Sequence, residues 1–348
     1  MHFQTSRPGY ANLPSAIVHA IANGGRGVQL FFAISGLILG LPFANHYLNG
    51  APVVSLKKYF VRRLTRLEPP YVLSMLIMFA LPVMRGYQTL SLGIWVKHLV
   101  ASLFYQHNLI YGQGSLLNGV AWSLEVEVQF YCLVPLLTLI FRVKRAVVRR
   151  TALLAVILLL SIYRIPFFEI SILGNLQFFM VGFLLSDLYC TEWSRPGAKR
   201  SWLYDLLGLA AWPFLFLGNG RWFSVLFPLA IFLAACAVIR GVLLRWILTR
   251  SPVTIAGGMC YTIYLYHFRV LVKVLDLTNK YAHPANQQLF YFIQLTAVIV
   301  VVGVVSILFF VLVERPCMRR DWPERLWLTF QNLGLRSGGP VSPPESLR

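Results

Sequence analysis

Apolar residues in this chain do not alternate with polar ones at the spacing of a surface helix or strand. They form long unbroken runs, separated by short stretches in which the charges collect. Runs at 28–44, 69–84, 121–141, 151–168, 173–190, 203–219, 222–239, 253–272 and 288–313 are each about the length a helix needs to cross a bilayer. The pattern therefore predicts an all-α, polytopic membrane helical bundle of about nine visible transmembrane helices. The run at 92–105 is too short to cross and is expected to be an interfacial or re-entrant helix. Pro69 and Pro70 are expected to mark the start of the second span, since a first helical turn tolerates proline.

Composition sharpens this reading. The 348 residues are 57% hydrophobic and only 12% charged, against about 25% charged for a soluble domain. The net charge of +19 would suit nucleic acid, but its distribution excludes that. Most Lys and Arg sit at Lys57–Arg66, Arg142–Arg150, Arg195–Arg200, Arg240–Arg250 and from Arg315 onward. These are alternate loops, so they fall on one side, which the positive-inside rule assigns to the cytoplasm. The expected location is the inner (cytoplasmic) membrane, with the C-terminus cytoplasmic. Two regions are expected: an integral domain over 1–320 and a disordered Pro/Gly/Ser-rich tail over 321–348. With nine spans residues 1–27 would lie outside, and a further helix upstream would give ten spans and place them inside. The five cysteines are scattered without metal spacing or a disulfide framework, so no metal is expected.

The run Ala121–Tyr131 is the chief clue to chemistry. It places Glu125, Glu127 and Gln129 in or beside an apolar span, where a carboxylate costs about 2.5–3.5 kcal/mol on insertion scales. Such groups persist where they face a polar cavity. Arg62 and Arg66 share a helix face, with Arg63 flanking it, and guanidinium groups match phosphate oxygens.

Five stretches in order resemble acyltransferase family 3, whose members are integral membrane enzymes that move acyl groups, often acetyl, onto sugars and other hydroxyl acceptors. They are GlyValGlnLeuPhePheAlaIleSerGly (27–36), ArgArgLeuThrArgLeuGluProProTyr (62–71), TrpSerLeuGluValGluValGlnPheTyr (122–131), TyrThrIleTyrLeuTyrHis (261–267) and GluArgPro (314–316). The resemblance covers about 24–316. It implies acyl transfer from cytosolic acyl-CoA, as co-substrate rather than bound cofactor, to a glycan or lipid-linked sugar.

Such a transfer needs a base for the acceptor hydroxyl and donors for the oxyanion. His2, Glu127 and His267 are the expected catalytic groups. His2 stands where relatives carry a His near the far end of their first helix. Arg62, Arg63 and Arg66 are expected at the donor's phosphates. Phe31, Phe32, Ser35, Gly36, Trp122, Gln129, Tyr131 and Tyr264 are expected around the substrates, with Gly27 and Gly36 also permitting close helix approach. His19, His46, His98, His107 and His283 fall in expected loops. A transporter or flippase of a lipid or sugar is the alternative, as is a relative inactive through loss of its first helix.

Overall fold

The computed structural model describes residues 22–84, 91–163, 169–195, 199–220, 222–281 and 287–318, with single positions at 19 and 322. Among these residues the secondary structure is entirely helical. Six helical segments are long and apolar enough to cross a membrane: Gly24–Asn49, Leu56–Met84, Gly119–Arg142, Ile172–Trp193, Phe223–Arg240 and Leu289–Cys317. The chain is a multi-pass membrane protein. The expected count of nine is not confirmed. Helices Ala146–Ile162 and Trp202–Leu217 have 17 and 16 residues, and Cys260–Tyr281 carries Arg269, Lys273 and Asp276. On the last candidate span Ile299 is 63% and Leu312 71% exposed, which fits a surface facing lipid rather than protein.

The longer helices are α1 (Gly27–Asn49), α2 (Leu56–Met84), α3 (Leu92–Leu103), α4 (His107–Tyr111), α5 (Trp122–Leu137), α6 (Ala146–Ile162) and α7 (Ile172–Leu188). They continue with α8 (Trp202–Leu217), α9 (Phe223–Arg240), α10 (Leu243–Leu248), α11 (Ser251–Gly258), α12 (Cys260–Tyr281) and α13 (Gln287–Phe309). One expectation fails inside α2. Pro69 and Pro70 do not start the helix; they lie within it, and the helix begins at Leu56. Proline removes an interior N–H and disfavours helix, yet here the helix passes through both rings. Arg62, Arg63 and Arg66 are therefore helical residues of α2 itself.

The centre of the bundle is the seam between α1 and α7. A Cβ on Gly36 would stand 2.2 Å from the Phe179 carbonyl oxygen, and one on Gly182 would stand 2.3 Å from that of Ala33. Gly40 and Ser186, one turn further along, continue the contact, and Ser186 Oγ donates to Leu37 O at 3.0 Å. Two small-xxx-small pairs, Gly36/Gly40 and Gly182/Ser186, thus let two backbones touch. A Cβ on Gly27 would meet nothing within 4 Å among the described residues, so it shows no such approach to them. Beside the seam, Phe179 stacks on both Phe32 and Phe130, with centroids at 4.7 and 3.9 Å.

These contacts fix direction. Phe32 lies edge-on to Trp122, Ser35 meets Glu127, and Arg142 lies over the Tyr47 ring. Helices α1 and α5 therefore run parallel, with Gly27 and Trp122 at one end of the bundle and Tyr47 and Arg142 at the other. The second end is held by a buried ion cluster. Asp187 on α7 pairs with both Arg149 and Arg150 of α6, and Arg150 also reaches Glu192 at 2.6 Å.

Candidate active site

The run that opens α5 sends alternate side chains to different neighbours. Glu125 is fully buried, and its Oε2 accepts from the Asn108 backbone N–H at 2.8 Å. Gln129, one turn on, donates through Nε2 to Tyr105 O at 2.9 Å and to Asn108 Oδ1 at 2.8 Å. Tyr105 has a φ of 57°, a left-handed conformation that costs a non-glycine residue energy. Gln129 and the stacked ring of Tyr71, 4.6 Å away, hold it there. Gln129 is thus a clamp on the turn between α3 and α4, away from the candidate cavity.

Glu127 points elsewhere. Its Oε1 accepts two hydroxyl protons, from Ser35 on α1 and from Tyr131 one turn along α5, each at 2.7 Å. Oε2 has no hydrogen-bond partner among the described residues. The carboxylate lines a cavity of about 220 Å³ formed by α1, α2, α5 and α12. Of the residues singled out from the sequence, Phe31, Phe32, Ser35, Arg63, Arg66, Glu127, Tyr131 and Tyr264 all line it. The cavity brings two guanidinium-bearing side chains and a hydroxyl-bonded carboxylate into one enclosure with apolar walls.

Others stand apart. Arg62 is exposed on α2 and outside the cavity: it takes Arg63 and Arg66, three residues apart, rather than 62 and 66. Gly36 is spent on the helix seam. Trp122 packs edge-on against Phe32, centroids 6.1 Å apart, and faces a different cavity. His267 sits one turn beyond Tyr264, its ring 5.6 Å from that phenol. Its Nδ1 lies 2.8 Å from Tyr264 O and 3.2 Å from Ile263 O. A carbonyl only accepts, so Nδ1 carries a proton and Nε2 is the ring nitrogen left to act as a base. His2 lies outside the described residues.

The structure gives partners to residues that the sequence offered only as members of motifs, and adds one that it did not offer, Cys260. Ser123 Oγ donates to Tyr264 Oη at 2.6 Å, and Tyr264 Oη donates to Val120 O at 2.7 Å. Tyr261 donates to Leu67 O at 3.0 Å, which ties α12 to α2 across the cavity. Cys260 lines the same space, and no pattern around a solitary cysteine could have shown it. At the end of the last span, Thr262 bonds the fully buried Glu314, which places the GluArgPro stretch against α12. Nor are all the spare histidines in loops. His98 lies in α3 and His107 in α4, and their rings meet with Nδ1 of the first 2.7 Å from Nε2 of the second.

The acyltransferase domain model matches residues 2–314, nearly the whole chain. This chain belongs to acyltransferase family 3. Among curated relatives, a putative O-acetyltransferase of Staphylococcus aureus strain COL is 25% identical over 291 residues, covering 72% of this chain and 46% of that protein. The O-acetyltransferase OatA of Staphylococcus aureus strain NCTC 8325 is 25% identical over 295 residues, covering 73% and 47%. The chain thus spans about half the length of the curated relatives it matches. No solved structure matches it.

Proposed function

We propose that this family member is a membrane acyltransferase that moves an acyl group, acetyl in the simplest case, from acyl-CoA to a hydroxyl of a glycan or lipid-linked sugar. The observation that carries the reading is the single cavity shared by Glu127, Ser35, Tyr131, Arg63 and Arg66. At about 220 Å³ it is smaller than most drug-sized ligand pockets. It suits an acyl thioester head and the end of the pantetheine arm behind it, with the donor's phosphates toward the arginines and its nucleoside beyond them. Arg63 and Arg66 lie toward the basic end of the bundle, on the side the charge pattern assigns to the cytoplasm.

In the transfer, the acceptor hydroxyl oxygen attacks the thioester carbonyl carbon, the C–S bond breaks, and the departing thiolate takes a proton. The hydroxyl proton must leave to a base. Glu127 offers Oε2 within the cavity, while Ser35 and Tyr131 hold its other oxygen and fix the carboxylate plane. His267 offers Nε2 one turn outward, toward an acceptor arriving from the Trp122 end. The Ser123 and Tyr264 hydroxyl protons are committed to Tyr264 Oη and Val120 O, so either would have to leave its present acceptor before it could serve an oxyanion. The test is transfer of labelled acetyl from acetyl-CoA to cell-envelope glycans by the purified protein. A labelled glycan with wild type and none with Glu127→Gln supports the reading. Binding of acetyl-CoA without any transfer refutes the glycan acceptor, and neither binding nor transfer refutes the enzyme.

A further inference from the structure

A second cavity, of about 330 Å³, opens at the Trp122 end of the bundle and plays no part in the chemistry above. Its walls include Gln29, Trp122, Tyr163, Glu169 and Asn175, drawn from the starts of α1, α5 and α7 and from the chain beyond α6. Several of their polar groups have no partner among the described residues. Gln29 Oε1 is buried with no hydrogen-bond partner among the described residues. The Trp122 indole N–H and the Glu169 carboxylate have no partner among the described residues. Asn175 is 2% exposed, and its amide protons go to the carbonyls of Glu169 and Ser171 at 2.8 and 3.0 Å. That fixes its amide with Oδ1 left as an acceptor. An unpaired buried amide oxygen costs about 1–3 kcal/mol, so Gln29 Oε1 is better explained by a ligand than by packing.

The chemistry selects the ligand. Among the described residues the wall carries a carboxylate and no basic side chain, which disfavours phosphates and other anions. The acceptors and amides suit hydroxyl groups, and indole and phenol rings at the rim offer flat apolar faces. A quaternary ammonium would also accept the rings and the carboxylate, but it has no N–H or O–H to satisfy the amides. The size is that of one sugar ring at the low end of ligand pockets. We infer that this cavity is a subsite for a neutral pyranose ring of the acceptor. It adjoins the acyl cavity through Trp122, whose ring meets Phe32 of that cavity at 6.1 Å. The inference rests on the reading of the protein as a glycan acyltransferase.

The experiment uses the full chain in nanodiscs. Trisaccharides of glucose, galactose and N-acetylglucosamine, and phosphocholine for comparison, are titrated by saturation-transfer NMR and tryptophan fluorescence. Wild type, Gln29→Leu and Glu169→Ala are compared, with melting temperature confirming that each is folded. At least one trisaccharide is expected to bind, about tenfold or more weakly in each variant, the loss of a hydrogen bond to an amide or a charged group. No saccharide binding, equal binding by the variants, or phosphocholine binding in place of sugar overturns the subsite. Acetyl-CoA turnover is measured alongside. Saccharide binding without any turnover keeps the subsite and refutes the transferase, whereas turnover with an unchanged acceptor KM in both variants refutes the subsite alone.

Discussion

Ser35 and Glu127, 92 residues apart, are joined by a 2.7 Å hydrogen bond across the interface of α1 and α5. Tyr131 completes the grip on the same oxygen. If Glu127 takes the acceptor proton, Glu127→Gln lowers kcat by about 10²- to 10⁴-fold, the usual worth of a positioned base. Ser35→Ala and Tyr131→Phe leave the carboxylate but free its plane, and a loss of about tenfold each is expected. Labelled acetyl transfer measures all three. Equal activity in Glu127→Gln would leave His267 as the base.

The arginines divide within one helix turn. Arg63→Ala and Arg66→Ala are expected to raise the KM for acetyl-CoA by about tenfold each, the worth of one charge-assisted contact. Arg62→Ala, outside the cavity, should leave it unchanged. Initial rates at varied acetyl-CoA decide this, and a large effect at Arg62 alone would place the phosphates elsewhere.

Asp187 holds two arginines at the basic end of the bundle. Removing one partner of a buried pair typically costs about 3–5 kcal/mol. Asp187→Asn should therefore unfold at a clearly lower temperature than wild type, while Glu192→Gln, at the exposed edge of the cluster, shifts it little. Thermal denaturation in detergent monitored by fluorescence tests both.

The histidine pair gives a pH dependence. Nδ1 of His107 faces the Gln113 carbonyl at 3.1 Å and so carries a proton, which leaves Nε2 to accept from His98 Nδ1 at 2.7 Å. Both rings are neutral in this arrangement. Burial lowers the pKa of each below the ordinary histidine value of 6.5. Because the unfolded chain then binds protons more readily, stability is complete above pH 6.5, falls as pH drops through it, and levels off below the folded-state values. Melting temperatures between pH 8 and pH 5 should show this fall, and His107→Asn should flatten it.

Much of this was legible in the sequence. Apolar runs marked the principal spans because bilayer insertion depends on composition over about twenty residues, and the carboxylate in the Trp122–Tyr131 run drew attention to Glu127. What stayed hidden depends on direction and neighbours. Gln129 is two residues from Glu127, nearly opposite on a helix, and so serves the α3–α4 turn instead of the cavity. Pro69 and Pro70 gave a false helix start because surrounding packing overrode their local preference. Cys260 carries no pattern of its own. Nor could the sequence say that the space around Gly36 would be filled by the backbone of α7 rather than by a substrate.

That seam has a consequence for how the cavity at Glu127 can vary. Where two backbones touch there is no side chain to exchange for a larger or smaller one. Phe32 and Ser35 therefore stand on a wall that substitution cannot move. The wall on α12 carries Cys260, Tyr261 and Tyr264, side chains of which Tyr261 is tied to Leu67 and Tyr264 to Val120 and Ser123 through their hydroxyls. A change in the size of this cavity, whether found in a homologue or selected in the laboratory, is more readily written on α12 than on α1.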